Sequence, residues 1–220
     1  MLSSMRSPSA HEPSDASSAI GGQDPDPAEP GDDIALRVGT YGLLAALLRQ
    51  APGPDLCTAL QAQPTDVAEP DEAASALREL VRAAAEAPTD QIAAEYEALF
   101  IGLGRGELVP YASWYLTGFL MERPLGRLRE DLAELGFERQ GHVTEPEDHV
   151  AALCEVMSML AQDRAPFETQ KRFFERHLSP WLERFFTDLQ RAPSAHFYRS
   201  VGRFGRAFVE LETRYLSMRR

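Results

Sequence analysis

The sequence predicts an all-α fold, a single helical bundle-like domain behind a disordered N-terminal tail. Beyond residue 31, apolar residues recur at spacings of three and four, as on the buried face of a helix. No segment shows the apolar–polar alternation that predicts a strand, and no internal repeat is visible. With 220 residues, of which 44% are hydrophobic, the chain is long enough to bury one substantial core.

The first part of the chain differs sharply in composition from the rest. Residues 1–31 are rich in Ser, Pro, Asp and Gly and hold few large apolar residues. Such a segment cannot bury enough surface to offset the loss of chain entropy on folding. We therefore expect residues 1–31 to form a disordered acidic tail and residues 32–220 to form the helical domain.

Helices in the first half of the domain are delimited by caps and breakers. Asp32 or Asp33 is expected to cap the first helix, which ends before the Pro-Gly-Pro at 52–54. Further helices are expected over residues 55–61, 71–87 and 89–100. The Gly-rich segment 102–106 interrupts the pattern, and the loop from Pro110 is expected to stay extended through Tyr115.

The second half continues the helical pattern. Helices are expected over residues 122–135, with Gly136 as the terminating residue, over 144–163, and over 167–191 with a break at Pro180. The last helix is expected to be capped by Ser194. Its apolar stripe is the clearest in the chain: Phe197, Val201, Phe204, Phe208, Leu211 and Tyr215.

Charge and cysteine content restrict the function classes. The formal net charge of −12, with a balance of one arginine to seven acids in residues 1–33, argues against nucleic acid as a partner. An acidic surface suits a basic peptide, although solubility alone explains it equally well. The two cysteines, Cys57 and Cys154, lack metal-ligand spacing, so no zinc site or disulfide framework is expected.

Two features of the chain bear on its location. No run of about 18 apolar residues predicts a membrane span, so no stable membrane insertion is expected. The N-terminal residues also lack the apolar core of a secretory signal. A cytoplasmic location is therefore expected.

The most informative motif is the run 144–149 at the start of an apolar helical segment. Thr144 and Glu147 have the spacing of a capping box, and Pro146 is tolerated in a first helical turn. Glu145 and Asp148 would suit the positive end of the helix. His149 has no role in this structural interpretation, and a half-buried histidine bonded to a neighbouring loop would explain it without a ligand.

Two aromatic segments precede this motif. Tyr96, Leu99 and Phe100 share one helical face, for which core packing is the simpler interpretation, above all for Leu99. Tyr111, Trp114 and Tyr115 lie within five residues of one another and combine large apolar area with polar tips. Such residues are enriched at peptide interfaces. Ser113 between them can hydrogen-bond to the backbone.

Catalytic patterns are weak, and the protein is not expected to be an enzyme. The Gly-rich segment 102–106 lacks the Gly-Lys-Ser/Thr of a phosphate-binding loop and no strand precedes it. His142, Glu145 and His149 could suggest a metal, but the paired Glu-x-x-His motifs of a di-metal bundle are missing. We expect no metal and no other cofactor.

Read in order, residues 96–100, 110–115 and 145–149, followed by Phe173, His177, Leu178, Pro180 and Trp181, resemble the TorD/DmsD family of redox-enzyme maturation chaperones. The resemblance covers roughly residues 34–216. It implies a cytoplasmic all-helical chaperone, without enzymatic activity, for a molybdenum-cofactor oxidoreductase. Such a chaperone binds the twin-arginine signal peptide and the body of its client before export. The acidic tail has no counterpart in this resemblance.

The resemblance also implies a peptide-binding surface near the start of the 144–163 helix. The matching residues are Tyr96, Leu99, Phe100, Tyr111, Ser113, Trp114, Tyr115, Glu145, Pro146, Asp148 and His149. Acidic side chains at a groove rim would receive the paired arginines through bidentate bonds. The candidates for this role are Glu145, Glu147 and Asp148, with Glu97 and Glu107 as weaker ones.

Two other classes of function stay open at this point. One is a helical adaptor or scaffold without a signal-peptide role, and the other is a metal-dependent enzyme or sensor that uses His149. The sequence also leaves open a monomer or a domain-swapped dimer with its hinge at residues 136–144. It does not identify the client, and no phosphate cradle supports a bound nucleotide.

Overall fold

The computed structural model describes residues 31–64, 71–102, 105–138 and 145–218. Within these ranges the chain forms ten α-helices and no β-strand, so the predicted all-α class is confirmed. Of the predicted tail, only Gly31 lies inside the described residues, and it begins the first helix. The helices are α1 Gly31–Arg49, α2 Pro54–Gln61, α3 Glu72–Glu86, α4 Thr89–Tyr96, α5 Ala112–Thr117, α6 Arg123–Glu134, α7 Val150–Gln162, α8 Phe167–His177, α9 Leu182–Arg191 and α10 Phe197–Met218.

Two helix packings dominate the core: α1 lies along α7, and α10 packs against α9 and α3. Helix α7 is apolar on nearly every face, which is the pattern of a helix enclosed by others. Helices α9 and α10 approach closely at Gly205, where an added Cβ would lie 2.2 Å from the ring of Phe186. Glycine at this position therefore sets the distance between the two helices.

A buried ion pair joins the N-terminal part of α1 to the C-terminal part of α10. Arg37 and Glu212 are 4% and 1% exposed and meet at 2.7 Å between Nη2 and Oε1. Gln170 of α8 accepts a bond from Arg37 Nη1 at 2.7 Å, and the Tyr41 hydroxyl donates to Glu212 at 3.1 Å. The ion pair and its hydrogen bonds offset the free energy that it costs to remove two charges from water. The cluster fixes three helices together.

Several predicted boundaries are confirmed by the structure. The break at Pro180 separates α8 from α9, and Trp181 closes it by donating its indole N–H to the His177 carbonyl at 2.8 Å. Helix α6 ends just before Gly136, which adopts a φ of +76°. Such a conformation favours glycine because a side chain would clash with the backbone.

Three predicted boundaries are wrong. The aromatic segment after Pro110 is not extended, since residues 112–117 form α5. Helix α7 begins at Val150, so the Glu145–His149 run precedes the helix and Pro146 is not in its first turn; Thr144 lies outside the described residues. Helix α10 is capped by the Glu95 carboxylate from α4, which accepts from the N–H groups of residues 196–198, and not by Ser194. For α5 and α10 a distant acidic side chain supplies the cap, Asp148 and Glu95 respectively. Helix α7 is capped by the adjacent His149 instead of by Thr144.

The stripe of α10 provides a test of the core. Phe208 is 3% exposed and its ring meets that of Tyr41 edge-on, with centroids 4.8 Å apart. Truncating a buried phenylalanine removes its apolar contacts and leaves a cavity, so Phe208→Ala is expected to lower the free energy of unfolding by about 3–5 kcal/mol. Urea unfolding followed by circular dichroism measures this. The exposed Met218→Ala serves as control, and an equal effect in both variants would contradict the assignment.

Candidate functional site

The two motif segments predicted to form a site meet at one place in the structure. The Ala112 amide donates to the Asp148 carbonyl, and the Val150 amide donates to the Pro110 carbonyl, both at 2.9 Å. Tyr111 and His149 form an isolated antiparallel bridge between these bonds. This pairing, which we call the 110–150 bridge, joins the start of α5 to the start of α7. It brings together residues that are more than thirty positions apart.

Asp148 secures the bridge from inside. Its side chain is 1% exposed, and its Oδ2 accepts the amide N–H of Ser113 in the first turn of α5 at 2.8 Å. A carboxylate at this place satisfies an amide that the helix itself leaves unpaired. Asp148 was expected as a hydrated acid at the rim of a groove, whereas the structure buries it as a cap for α5. The Oδ1 of Asp148 and the hydroxyl of the buried Ser113 have no hydrogen-bond partner among the described residues.

His149 is the residue that caps α7. Its Nδ1 accepts the Ala151 amide at 3.2 Å, which requires the neutral tautomer with its proton on Nε2. The ring meets the Tyr111 ring edge-on, with centroids 5.1 Å apart. Burial lowers the pKa of His149 to about 4, although the neighbouring Glu145 carboxylate acts in the opposite direction. At neutral pH the side chain is therefore an uncharged part of the junction.

The other two acids of the motif differ in their availability. Glu145 is exposed and accepts a hydrogen bond from the Tyr111 hydroxyl. The pKa of Tyr111 is raised mainly by burial and, to a smaller extent, by this hydrogen bond. Glu147 is 7% exposed, and its carboxylate accepts hydrogen bonds from Nε and Nη2 of Arg129 in α6 at 3.0 and 2.9 Å. Of the three predicted rim acids, only Glu145 faces solvent.

Two residues that the sequence analysis missed complete the cluster. Arg49, in the last turn of α1, forms an ion pair with Glu155 of α7, each about one-fifth exposed. The Tyr96 hydroxyl donates to the Arg49 carbonyl at 2.7 Å, and burial raises the pKa of Tyr96 to about 12, with Glu145 adding to the effect. Burial also lowers the pKa of Arg49, while Glu145 opposes that shift. A detectable signal existed, because Glu155 is the only charged residue of α7.

A groove opens beside this cluster between α1, α2 and α7. Its volume is about 460 Å³. The walls are mostly apolar and small on the α1 side, with Arg49 and Glu155 among the lining residues. The lining residues are Gly42, Ala45, Ala46, Arg49, Gln50, Pro52, Gly53, Leu56, Glu155, Ser158 and Met159. The groove is therefore an apolar surface that contains one ion pair, Arg49 with Glu155.

The remaining predicted residues do not all reach this cluster. Leu99 is fully buried in the core, and Phe100 packs on Tyr198 with ring centroids 5.4 Å apart. Both belong to a π-helical turn, Glu97–Ile101, a feature that is frequent at functional sites. The rings of Trp114 and Tyr115 lie under the guanidinium groups of Arg105 and Arg184. Tyr115 also packs on Trp181, so this aromatic pair is directed towards α9.

The weaker acidic candidates are also separate. Glu97 is exposed at the start of the π-helical turn. Glu107 accepts bonds from the amide and hydroxyl of Ser194 and so serves the turn before α10. Pro146 is half-buried, and its carbonyl accepts the His149 amide at 3.2 Å. Direct peptide contact by the predicted residues stays a prediction.

The described residues contain neither a metal-ligand cluster nor a membrane-spanning helix. In the part of the chain that the structure describes, no three His, Cys, Asp or Glu side chains converge as metal ligands. His142 lies outside that part. No helix among the described residues has the length and hydropathy to cross a membrane.

The pKa of His149 predicts how stability depends on pH. The unfolded side chain takes up a proton near pH 6.5, but the folded one only near pH 4. Between these values the unfolded state holds more protons, so the free energy of unfolding falls as the pH decreases and is fully retained above 6.5. Urea unfolding at pH 7 and pH 5 should show a loss that is about 2 kcal/mol smaller in His149→Asn than in the wild type.

His177 provides the control for that experiment. Burial lowers its pKa as well, in spite of its contact with Asp131 at 2.5 Å, so it contributes in the same direction. In His177→Gln the contribution of His149 should persist. Equal pH dependence in the wild type and His149→Asn would show that His149 is not held neutral by the fold.

Comparison with known proteins gives the family. Residues 66–187 match the model of the nitrate reductase delta subunit family. Chaperone protein TorD of Vibrio atlanticus is 27% identical over 139 residues, which cover 58% of this chain and 65% of that protein. Its counterpart in Vibrio cholerae El Tor is 28% identical over 131 residues, with coverages of 54% and 60%. The chain thus spans just under two thirds of these relatives.

A solved structure agrees on the fold. The crystal structure of a protein from Archaeoglobus fulgidus, described as a redox enzyme maturation protein, superposes with a TM-score of 0.51 at 20% identity. The match covers 80% of this chain and 94% of that one. Because the family model covers more than half of the residues, the chain belongs to the nitrate reductase delta subunit family, and the TorD/DmsD resemblance of its motifs is confirmed.

Proposed function

We propose that this protein is a cytoplasmic maturation chaperone that binds the twin-arginine signal peptide of a molybdenum-cofactor oxidoreductase. It would hold the client until its cofactor is inserted and export can follow. The carrying observation is the apolar groove between α1, α2 and α7, which Arg49 and Glu155 line and whose Arg49 interacts electrostatically with the exposed Glu145. Family membership and the name of the TorD relatives support the same proposal.

Glu155 has the chemistry to receive a leader arginine. One carboxylate oxygen of Glu155 accepts from Arg49, while the other is buried without a hydrogen-bond partner in the described part of the protein. An unsatisfied buried acceptor costs free energy that an incoming donor would recover. A guanidinium offers such donors in a planar fork that suits a carboxylate. Glu145, exposed nearby, is the natural partner of the second arginine.

The groove fits the apolar part of a leader peptide. The small side chains of Gly42, Ala45 and Ala46 let a bound segment approach α1 closely, and Leu56 and Met159 supply apolar contact from α2 and α7. Methionine adapts its shape to different apolar partners. A short amphipathic or extended peptide placed in a helix-lined groove is a known recognition mode. The exposed charge of Glu145 would keep the interaction reversible.

The buried residues of the predicted site would act indirectly. Asp148, Ser113 and Leu99 are too deeply buried to touch a peptide in this conformation. Their role under this proposal is to hold Tyr111, Glu145 and His149 beside the groove. The acidic tail, outside the described residues, has no role in the proposal.

The test is calorimetry with a synthetic leader peptide that carries the paired arginines and the apolar segment. Glu155→Gln and Glu145→Gln should each weaken binding roughly tenfold, the effect of losing one charge-assisted hydrogen bond of about 1.5 kcal/mol. A peptide with two lysines should bind more weakly to the wild type, because lysine cannot form the bidentate contact.

Glu134→Gln is the matched control. Glu134 is an exposed acid in the last turn of α6 and carries the same charge away from the groove. Wild-type affinity in Glu155→Gln and Glu145→Gln, with thermal unfolding unchanged, would contradict the assignment of the groove. No measurable binding of any twin-arginine peptide would favour the adaptor alternative.

A further inference from the structure

An apolar loop tip that the proposed function does not use protrudes between α5 and α6. We call it the 116–121 tip. Four of the seven large apolar side chains that are exposed in the described part of the chain lie in these six residues. Leu116 is 42% exposed, Phe119 68%, Leu120 50% and Met121 72%. Three consecutive side chains with half or more of their surface in water require a protruding segment.

The tip is built by specific local interactions. The Thr117 hydroxyl donates to the Ser113 carbonyl at 2.8 Å and lies 3.2 Å from the Phe119 amide, whose N–H it accepts. Gly118 terminates α5 with a φ of +83°. Met121 adopts a φ of +59°, a left-handed conformation that is unfavourable for a residue with a side chain. Strain of this kind is often kept where it serves function.

Two exposed arginines lie in the first two turns of the helix that follows the tip. Arg123 and Arg127 begin α6 and are exposed, and neither forms an ion pair with a carboxylate of the described residues. Arg127 and Arg176 line a small cavity of about 80 Å³ together with Leu116. Arg176 already pairs with Asp131 at 3.0 Å. The exposed acids nearby are Glu122 and Glu130. Arg123 and Arg127 thus place positive charge close to the tip of a protein that is acidic as a whole.

The size of the patch argues against a second copy of the chain as its partner. An apolar patch of a few hundred Å² is all that four such side chains provide. One side of a standard protein interface buries about 800 Å². The tip alone is therefore too small for a stable dimer. A short protruding apolar segment of this kind can instead insert its side chains into an apolar phase, which does not require a large contact area.

We infer that the 116–121 tip binds reversibly to a membrane surface that contains anionic lipid. Phe119, Leu120 and Met121 enter the boundary between headgroups and acyl chains, where apolar side chains are favoured. Arg123 and Arg127 remain at headgroup level and pair with lipid phosphates, as arginine does when its stem is buried and its charge stays hydrated. One short anchor gives weak, reversible attachment.

A tryptophan placed at the tip reports this directly. Phe119→Trp keeps an aromatic ring at the position, and its fluorescence should shift to the blue when vesicles of phosphatidylcholine mixed with phosphatidylglycerol are added. Vesicles of phosphatidylcholine alone should give a smaller shift, because they lack the anionic headgroups. The wild-type protein, with Trp114 and Trp181 but no tip tryptophan, should show little change.

Co-sedimentation with the same vesicles measures the affinity. The triple variant Phe119→Ser, Leu120→Ser and Met121→Ser should bind the mixed vesicles roughly tenfold more weakly than the wild type, since it has lost the inserted side chains. Arg123→Gln with Arg127→Gln should weaken binding to the mixed vesicles only. Met218→Ser removes a side chain that is 77% exposed at the end of α10 and should bind like the wild type.

Several results would overturn the inference. One is the absence of a fluorescence shift and of co-sedimentation with either vesicle. Another is an equal loss of vesicle binding in Met218→Ser and in the triple variant. If the triple variant bound vesicles normally but lost affinity for the leader peptide, the tip would belong to the peptide site instead. Circular dichroism melting of each variant establishes that the fold is intact.

Discussion

The candidate site depends on the 110–150 bridge. Two backbone hydrogen bonds and the buried Asp148 carboxylate fix the start of α5 against the start of α7. Because most residues of α7 are buried, this junction fixes the residues around it relative to the core. The bridge determines the positions of Tyr111, Glu145 and His149. Without the bridge, the exposed Glu145 would belong to an unanchored connection between α6 and α7.

The bridge also explains why so polar a cluster is buried. Asp148 satisfies the Ser113 amide, and His149 satisfies the Ala151 amide, so each side chain replaces a bond that a helix terminus lacks. The satisfaction is incomplete, since Asp148 Oδ1 and Ser113 Oγ have no hydrogen-bond partner among the described residues. Residual polar groups of this kind are tolerated at functional sites more than elsewhere. The junction thus combines a paired backbone with two buried polar atoms that have no hydrogen-bond partner among the described residues.

Most of the fold could be predicted from the sequence because its helices carry periodic apolar faces. Local sequence alone predicts the apolar stripe of α10, the break at Pro180 and the end of α6 before Gly136. The starts of α5, α7 and α10 could not be predicted in this way. Asp148 and Glu95 cap α5 and α10 from distant parts of the chain. Helix α7 has a local cap, His149, but its first amide donates to the distant Pro110 carbonyl.

The site itself was only partly accessible from sequence. Glu145, Asp148 and His149 were recognisable as a motif, but the motif does not reveal that Asp148 is buried while Glu145 is exposed. Arg49 and Glu155 were missed because their significance lies in the pairing of α1 with α7. A lone acid within an otherwise apolar helix is the signal that could have identified Glu155, since such a charge needs a partner.

Hydrogen exchange of the protein with and without a twin-arginine leader peptide tests the central claim most directly. If the bridge presents Glu145 beside the groove that Glu155 lines, the peptide should slow amide exchange in residues 42–56 and 155–159, because binding stabilises the elements that it covers. Exchange in α9 should be unchanged. Protection confined to residues 105–115 and α9, with none in residues 42–56, would show that the leader binds elsewhere and would contradict the account.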